Sequence, residues 1–366
     1  MPLMYVFFIV IAIVFPLAKA AAVMGGNRDG RIAGTDNNAA KFMVFMVFMI
    51  LFVFAGFRGI SALVNDEWIY RRRALDIPKH PFAEAVFSSS ELIDNIIYWV
   101  VGRIFPGESQ WILVSYALIT YACLVYCIYK QCDNFELGIL LLFLLNMVNT
   151  SFNTLQQMEA VAVTMLGMPF VHKRKFIKYA IVIAIATLIH TSAIVLIGVY
   201  FIANLKPWSW KFIGIAFLFV IVMVLFNTVA PNLFSRMDIL DEYGDTYGKG
   251  VKGITVLVAF IPLLFAFAMK SKFPDDDEQF NCSINMSLLY AMIYMVSTQN
   301  LYVARFGMYM QPYLIFFYTR AISYLKKENM GTMVYLGLVA GYGATMIYFV
   351  QNIEYRFVSI FELIKF

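Results

Sequence analysis

Apolar residues run through this chain in long uninterrupted blocks rather than as faces of mixed segments. The blocks lie at about 3–23, 42–57, 110–129, 136–149, 158–171, 212–230, 254–269, 284–301, 306–324 and 331–350, each closed by a short polar or charged connection. A helix needs roughly 20 such residues to cross the hydrocarbon of a bilayer. Lipid-exposed backbone must satisfy its own hydrogen bonds, and the blocks are too long and continuous to be barrel strands. The pattern predicts an all-α fold: a polytopic integral membrane helix bundle of roughly 10–12 membrane segments. The first block begins without a basic leader region and reads as a first span, not as a cleaved signal.

Two stretches break the pattern. Residues 91–105, "ELIDNIIYWVVGRIF", mix Glu91, Asp94 and Arg103 with apolar positions and read as an interfacial amphipathic helix. Residues 176–204, "FIKYAIVIAIATLIHTSAIVLIGVYFIAN", carry His190 and Thr191–Ser192 at the middle of an apolar run. They form either one overlong tilted helix or a short helical hairpin turning at His190. Cytoplasmic connections are enriched in Lys and Arg. Only the hairpin places "HKRKFIK", "KPWSWK", "KSK" and "RAISYLKK" all on the inside, together with Arg28, Arg31 and Lys41. The expected organisation is one transmembrane domain over 1–366. An outer-face loop at 58–109 holds the amphipathic helix, and a second, mobile outer-face loop lies at 231–253. The tail after Gln351, with Glu354, Arg356 and Glu362 among aromatics, suggests a helix lying on the surface.

Composition agrees with membrane residence. The 366 residues are 61% hydrophobic and 14% charged, with a mean hydropathy of +0.74, against about 25% charged for a soluble domain. The net charge of +5 is modest and says little about a partner until it is mapped by side; no nucleic-acid partner is expected. Four cysteines suggest no disulfide framework. Cys123 and Cys127 fall one helical turn apart inside a span, with Cys132 just beyond, and read as packing residues before they read as metal ligands.

Charge at a membrane edge is costly and marks candidate chemistry. On the outer side under this topology, Arg58 ends the second span and is followed by Asp66, Glu67, Tyr70 and the run Arg71, Arg72, Arg73. These arginines lie where the orientation rule disfavours them, which favours a functional reading. "NTSFNTLQQMEAVAV" brings Asn153, Gln156, Gln157 and Glu159 to the outer start of a span, and "IHTSA" holds His190. "NLYVARFGMYMQPY" places Arg305, Tyr309 and Gln311 at another outer edge, and Arg236 lies in the 231–253 loop. Arginine forks onto phosphate oxygens and stays charged, so several arginines suit a pyrophosphate, and the aromatics suit sugar rings. Plainer roles exist for each: Arg58 and Arg305 as snorkelling headgroup contacts, Arg71 to Arg73 as a solvated turn, His190 as a packed turn residue. No Walker sequence, zincin helix, nucleophile elbow or dinucleotide fingerprint occurs. Asp66–Glu67 is a lone acidic pair that could hold a divalent metal, but the expectation is a reaction with neither a metal nor another cofactor.

Four segments share a resemblance. "FRGISALVNDEWIY", "FNTLQQMEA", "ATLIHTSAIVLI" and "LYVARFGMYMQPYL" resemble, in order, segments of the EpsG family, Wzy-type polymerases of bacterial polysaccharide and O-antigen synthesis. Three departures stand out. Gln156 occupies a position where the family usually has arginine, and Glu159 one that is usually apolar; Val64–Asn65 replace a usual Gly-Thr. A cation is therefore missing from one expected place, to be supplied by Arg71 to Arg73 or Arg236 unless the substrate geometry differs.

The resemblance implies an enzyme of the bacterial cytoplasmic membrane with its active site facing the periplasm. It would transfer a growing glycan from undecaprenyl pyrophosphate to an incoming lipid-linked oligosaccharide repeat unit, with a flippase and a chain-length regulator as expected partners in the bilayer. On that reading Arg58 and Arg305, with Arg71, Arg72, Arg73 and Arg236, meet the pyrophosphate; His190, Asp66 or Glu159 takes the acceptor proton, His190 being favoured; and Tyr70, Gln157 and Tyr309 contact sugar. The competing readings are a flippase or transporter for lipid-linked sugars, a metal-dependent glycosyltransferase using a polyprenyl-phosphate sugar through Asp66 and Glu67, and a membrane acyltransferase using His190.

Overall fold

The structure is a computed structural model that describes residues 1–25, 37–59, 67–235, 249–326 and 330–358, with the backbone alone at 67–68 and 227–235. The elements among them are helical, in the order α1 (Leu3–Met24), α2 (Asn38–Gly56), α3 (Glu67–Asp76), α4 (Phe82–Val86), α5 (Leu92–Ile104), α6 (Gln110–Gln131), α7 (Phe135–Leu144), α8 (Met147–Asn153) and α9 (Leu155–Met165). These are followed by α10 (Met168–His172), α11 (Phe176–Ile189), α12 (Leu196–Ala203), α13 (Trp210–Ser235), α14 (Gly253–Ala268), α15 (Glu278–Val296), α16 (Val303–Gly307), α17 (Gln311–Leu325) and α18 (Met330–Val350). The all-α, polytopic expectation holds.

Among the described residues, α1, α2, α6 and α18 are long and apolar enough to cross a membrane as continuous helices, and a bent pair, α7 with α8, makes up to five. Helix α13 runs 26 residues across the 212–230 block and α15 runs 19 residues over much of the 284–301 block; others of the expected spans are shorter or interrupted, two of them for an evident local reason. Asn146 adopts a left-handed conformation (φ 62°), which asparagine tolerates better than most residues, and α7 and α8 meet there at 51°. The block 158–171 is divided between α9 and α10 at Leu166–Gly167. A Cβ on Gly167 would stand 3.1 Å from both the Thr164 carbonyl and the Tyr179 ring, so a side chain here would have to push its neighbours back by a few tenths of an ångström.

The run 176–204 is the hairpin. Helix α11 stops at Ile189, residues 191–195 form a 3₁₀ turn, and α12 returns. Phe176, the first residue of α11, has its ring 5.0 Å from Tyr200 and 5.6 Å from Phe201, near the end of α12. A single straight helix would separate positions 176 and 200 by roughly 36 Å at 1.5 Å per residue.

The chain divides into two compact units. The first comprises Met1–Met168, Ile177–Ile194 and Ile322–Phe366. Its core is α6, which packs against α2 and α9, while α1 lies between α2 and α7. Phe7 sits at the centre, with its ring edge-on to Phe54, Phe143 and Phe152 at 5.3–6.4 Å. Helices α2 and α6 approach closely at Gly56, where a Cβ would lie 3.2 Å from the Val114 Cα. Asparagine caps start α2 and α7: the Asn37 side chain accepts from Ala39 N and Ala40 N, and Asn134 from Leu137 N.

The tail departs from the expected surface helix. Its described residues run extended across the unit: Leu3 N donates to Ile353 O (2.7 Å), Tyr355 N to Met1 O (2.8 Å) and Val358 N to Phe57 O (2.7 Å). Those backbone groups are already paired with the start of α1 and the end of α2, which leaves none for an intrahelical ladder.

The second unit comprises Pro169–Phe176 and Val195–Ala321. Helix α15 is its axis, touched by α12, α13, α14 and α16. The buried Asn285 amide donates to Ala203 O (2.9 Å) and Leu205 O (2.7 Å), closing the C-terminus of α12. Phe280 stacks on Phe317 with ring centres 5.4 Å apart.

Candidate active site

A polar cluster of the first unit forms where the N-terminus of α5, the last turn of α3, the start of α9 and the end of α11 meet. Its hub is Glu91, the residue before α5. The chain enters α5 through Ser88 and Ser89, and the Asn95 amide ties that entry down by donating to Val86 O (3.1 Å) and Ser89 Oγ (3.0 Å). Glu91 is thereby held with its carboxylate facing the broken end of α11.

The two carboxylate oxygens have different partners. Oε1 accepts from His190 Nδ1 at 2.9 Å and from the Thr191 backbone N at 3.4 Å. Oε2 accepts from Gln156 Nε2 at 2.5 Å and lies 3.9 Å from the Arg73 guanidinium. Gln156 Nε2 also reaches Ile189 O at 2.8 Å, satisfying a carbonyl at the open end of α11. An ionised carboxylate only accepts, so the proton of a neutral His190 belongs on Nδ1 and Nε2 keeps its lone pair. The His190 side chain retains 23% of its exposure and Glu91 16%.

A second carboxyl lies behind the first. Asp94, one turn along α5, is fully buried, ion-paired to Arg73 at 3.0 Å and accepts from the Tyr116 hydroxyl. Arg73 also donates to Asn95 Oδ1 at 2.9 Å and lies over the Tyr98 ring at 4.8 Å. The two acids respond in opposite directions. Burial disfavours a charged Glu91, but the hydrogen bond and charge of His190, the Gln156 amide and Arg73 outweigh it and hold this carboxyl below its ordinary range. For Asp94 burial dominates over Arg73 and Tyr116, with Glu91 adding repulsion, and its carboxyl is pushed up to about 7.

The expected site residues are distributed as follows. His190 and Arg73 come together through Glu91. Gln157 is buried beside Gln156, and Tyr70 is buried with its ring edge-on to Tyr116 at 6.0 Å. Arg71 donates to Ser109 Oγ at 3.3 Å, and it and Arg72 are exposed. Glu159, one turn along α9 from Gln156, is 0% exposed, and neither carboxylate oxygen has a hydrogen-bond partner among the described residues. Arg58 is buried: it donates to Ala55 O (2.6 Å) and Phe152 O (2.9 Å), stacks over Phe152, and joins the C-terminal ends of α2 and α8. Arg305 and Tyr309 belong to the second unit, Arg305 over the Tyr302 ring at 5.2 Å and Tyr309 buried. Asp66 and Arg236 lie outside the described residues. Among the described residues, no group of three or more His, Cys, Asp or Glu is placed to hold a metal ion.

The residues that sequence reasoning passed over are Glu91, Asp94, Asn95, Tyr116 and, as a site residue, Gln156. Glu91 and Asp94 were visible as acids in an amphipathic stretch. Nothing in the spacing linked Glu91 to a histidine 99 positions away. Gln156 stands where the resemblance calls for arginine, and Arg73 approaches the same Glu91 oxygen from α3, so a cation is present there from another helix.

Neither the curated proteins nor the solved structures contain a match to this chain. The sequence profile of the EpsG family matches residues 41–361, which takes in both units and every element of the cluster around Glu91. With most of its length inside that match, the chain belongs to the EpsG family, which is associated with Wzy-type polymerases.

Proposed function

We propose that this protein is a polysaccharide polymerase of the glycosyltransferase kind, joining undecaprenyl-pyrophosphate-linked oligosaccharide repeat units at the outer face of the bacterial cytoplasmic membrane. Family membership supports a membrane polymerase-type role in general. The observation that carries the finer reading is the His190–Glu91 contact at the broken end of α11.

In the proposed step His190 Nε2 accepts the proton of the acceptor sugar hydroxyl as its oxygen bonds to the anomeric carbon of the growing glycan. The bond from that carbon to the pyrophosphate oxygen breaks, and the lipid pyrophosphate departs with the electron pair. Activation resides in the lipid pyrophosphate, so no nucleotide is required. Glu91 is a positioning residue: it fixes the tautomer and orientation of the imidazole and balances the imidazolium that forms. Arg71 and Arg72, exposed and without a carboxylate partner among the described residues, suit the leaving pyrophosphate. Arg73 is committed to Glu91 and Asp94 and acts through them.

The test is a membrane assay with lipid-linked repeat units. His190→Gln should abolish polymer while repeat units accumulate; polymer of normal amount and length would overturn the assignment. Orientation is tested separately with single cysteines at positions 73, 175 and 190 and an impermeant thiol reagent. Labelling at 73 and 190 with 175 protected is expected. Labelling of 175, or protection of 190 with 73 exposed, would overturn the outward-facing site.

A further inference from the structure

The amphipathic helix α5 is oriented opposite to a water-exposed surface helix. At 100° per residue, the buried Asp94, Asn95 and Tyr98 share one face, and the exposed Ile96, Val100, Arg103 and Ile104 the opposite one. The polar side faces the protein, where Arg73 and Tyr116 engage Asp94, and Arg73 and the serine turn engage Asn95. The outward side is apolar for two turns and ends in a cation. Phe82, 49% exposed, extends it through Trp99, which is edge-on to Phe82 at 5.0 Å and beneath Arg103 at 5.2 Å.

What covers this face follows from where the helix is tethered. Its 13 residues rise only about 20 Å, short of the roughly 30 Å hydrocarbon core. Phe105, directly after α5, stacks on Trp111 at 4.2 Å with the planes 13° apart, and Trp111 is the second residue of the membrane-crossing helix α6. The end of α5 is thus level with the beginning of a span, at the depth where tryptophan and arginine collect in membrane proteins. Arg103, exposed and without a carboxylate partner among the described residues, matches phosphate headgroups there. Asp76 and Glu84, on the approach to this helix, lie against Lys79 and His80.

We infer that α5 lies in the lipid–water interface at the level where α6 begins, with Ile96, Val100 and Ile104 among acyl chains and Arg103 on an anionic headgroup. The inference does not rest on the transfer reaction; if both hold, the Glu91–His190 cluster at the start of this helix sits at headgroup level, where a lipid-linked substrate arrives from the membrane plane.

Spin labels report the neighbourhood directly. Nitroxides would be placed one at a time at positions 96, 100 and 104, with a control at Glu84, in a full-length background lacking native cysteines. The variants would be reconstituted in phosphatidylcholine vesicles with and without phosphatidylglycerol. Oxygen collides preferentially with labels in lipid, and a water-soluble nickel chelate with labels in water. Oxygen collisions should exceed chelate collisions several-fold at 96, 100 and 104, with the order reversed at 84. Phosphatidylglycerol should deepen the label at 104, and Arg103→Gln should remove that response. Chelate-dominated collisions at the three positions would show a face bathed in water, and protection from both reagents would show one covered by protein; either overturns the inference. Insensitivity at 104 to the anionic lipid overturns the headgroup contact.

Discussion

Replacing Glu91 by glutamine separates charge from shape at the centre of the cluster. The amide keeps the length of the side chain and one acceptor oxygen for His190 Nδ1, now 2.9 Å from a carboxylate oxygen. It removes the negative charge that faces the imidazolium and Arg73. A hydrogen bond to a charged group contributes about 1.5–3 kcal/mol and a neutral one about 0.5–1.5 kcal/mol. The midpoints of these ranges differ by about 1.3 kcal/mol, a rate factor approaching ten. Both partners are mostly shielded from water, so solvent does not restore what is lost. The assay is the initial rate of polymer formation from lipid-linked repeat units in isolated membranes. Glu91→Gln should be roughly tenfold slower by this difference, and Glu91→Ala slower again by the neutral bond that remains in the amide.

Stability supplies a readout of the same charge that does not depend on activity. The Glu91 carboxyl is held below its ordinary range in the folded protein, so its contribution is complete above the ordinary carboxylate pKa and is lost as pH falls through the lowered folded value. Acid should therefore lower the melting temperature of the wild type more than that of Glu91→Gln. Wild-type rates in both variants, with folding intact, would refute the role of Glu91 at His190.

Asp94 predicts the opposite sign: with its carboxyl pushed up to about 7, its contribution is complete below the ordinary carboxylate pKa and declines as pH rises towards 7, so Asp94→Asn should flatten the fall in melting temperature over that window. Arg58→Ala should lower stability by roughly 3 kcal/mol, removing two charge-assisted bonds to helix-end carbonyls, with Arg58→Lys only partly restoring it in a detergent melt; an unchanged melt with lost polymer would point to the pyrophosphate instead. Arg73→Gln should slow polymer formation, and adding Gln156→Arg should recover part of the rate by returning a cation to the Glu91 oxygen; no recovery would mean that Arg73 matters through Asp94 alone. Arg305→Ala should leave lipid-linked repeat units unpolymerised, as family resemblance implies, and normal polymer would remove Arg305 from that role.

What the sequence determined by itself is the part governed by local physics. Long apolar blocks specify helices, because a backbone in lipid has no other way to pair its amides, and α1, α2, α6 and α18 lie where hydropathy puts them. The hairpin at His190 was legible because the positions of lysine and arginine excluded a single span. The short ordered motifs sufficed to indicate the family. Tertiary structure decided what depends on distant partners. Arg58 reads as an exposed cation at a membrane exit, yet the ends of α2 and α8 converge on it and absorb its donors. Three adjacent arginines look equivalent in sequence, and only the packing of α3 on α5 turns Arg73 inward to Asp94 and Glu91. Glu91 meets His190 across 99 residues because α11 breaks where α5 begins, a coincidence in space that no periodicity encodes. The tail reads as a helix lying on the surface, but the backbone groups beside α1 and α2 pair with its described residues as an extended segment, since a backbone group can be satisfied by a neighbouring segment as well as inside a helix.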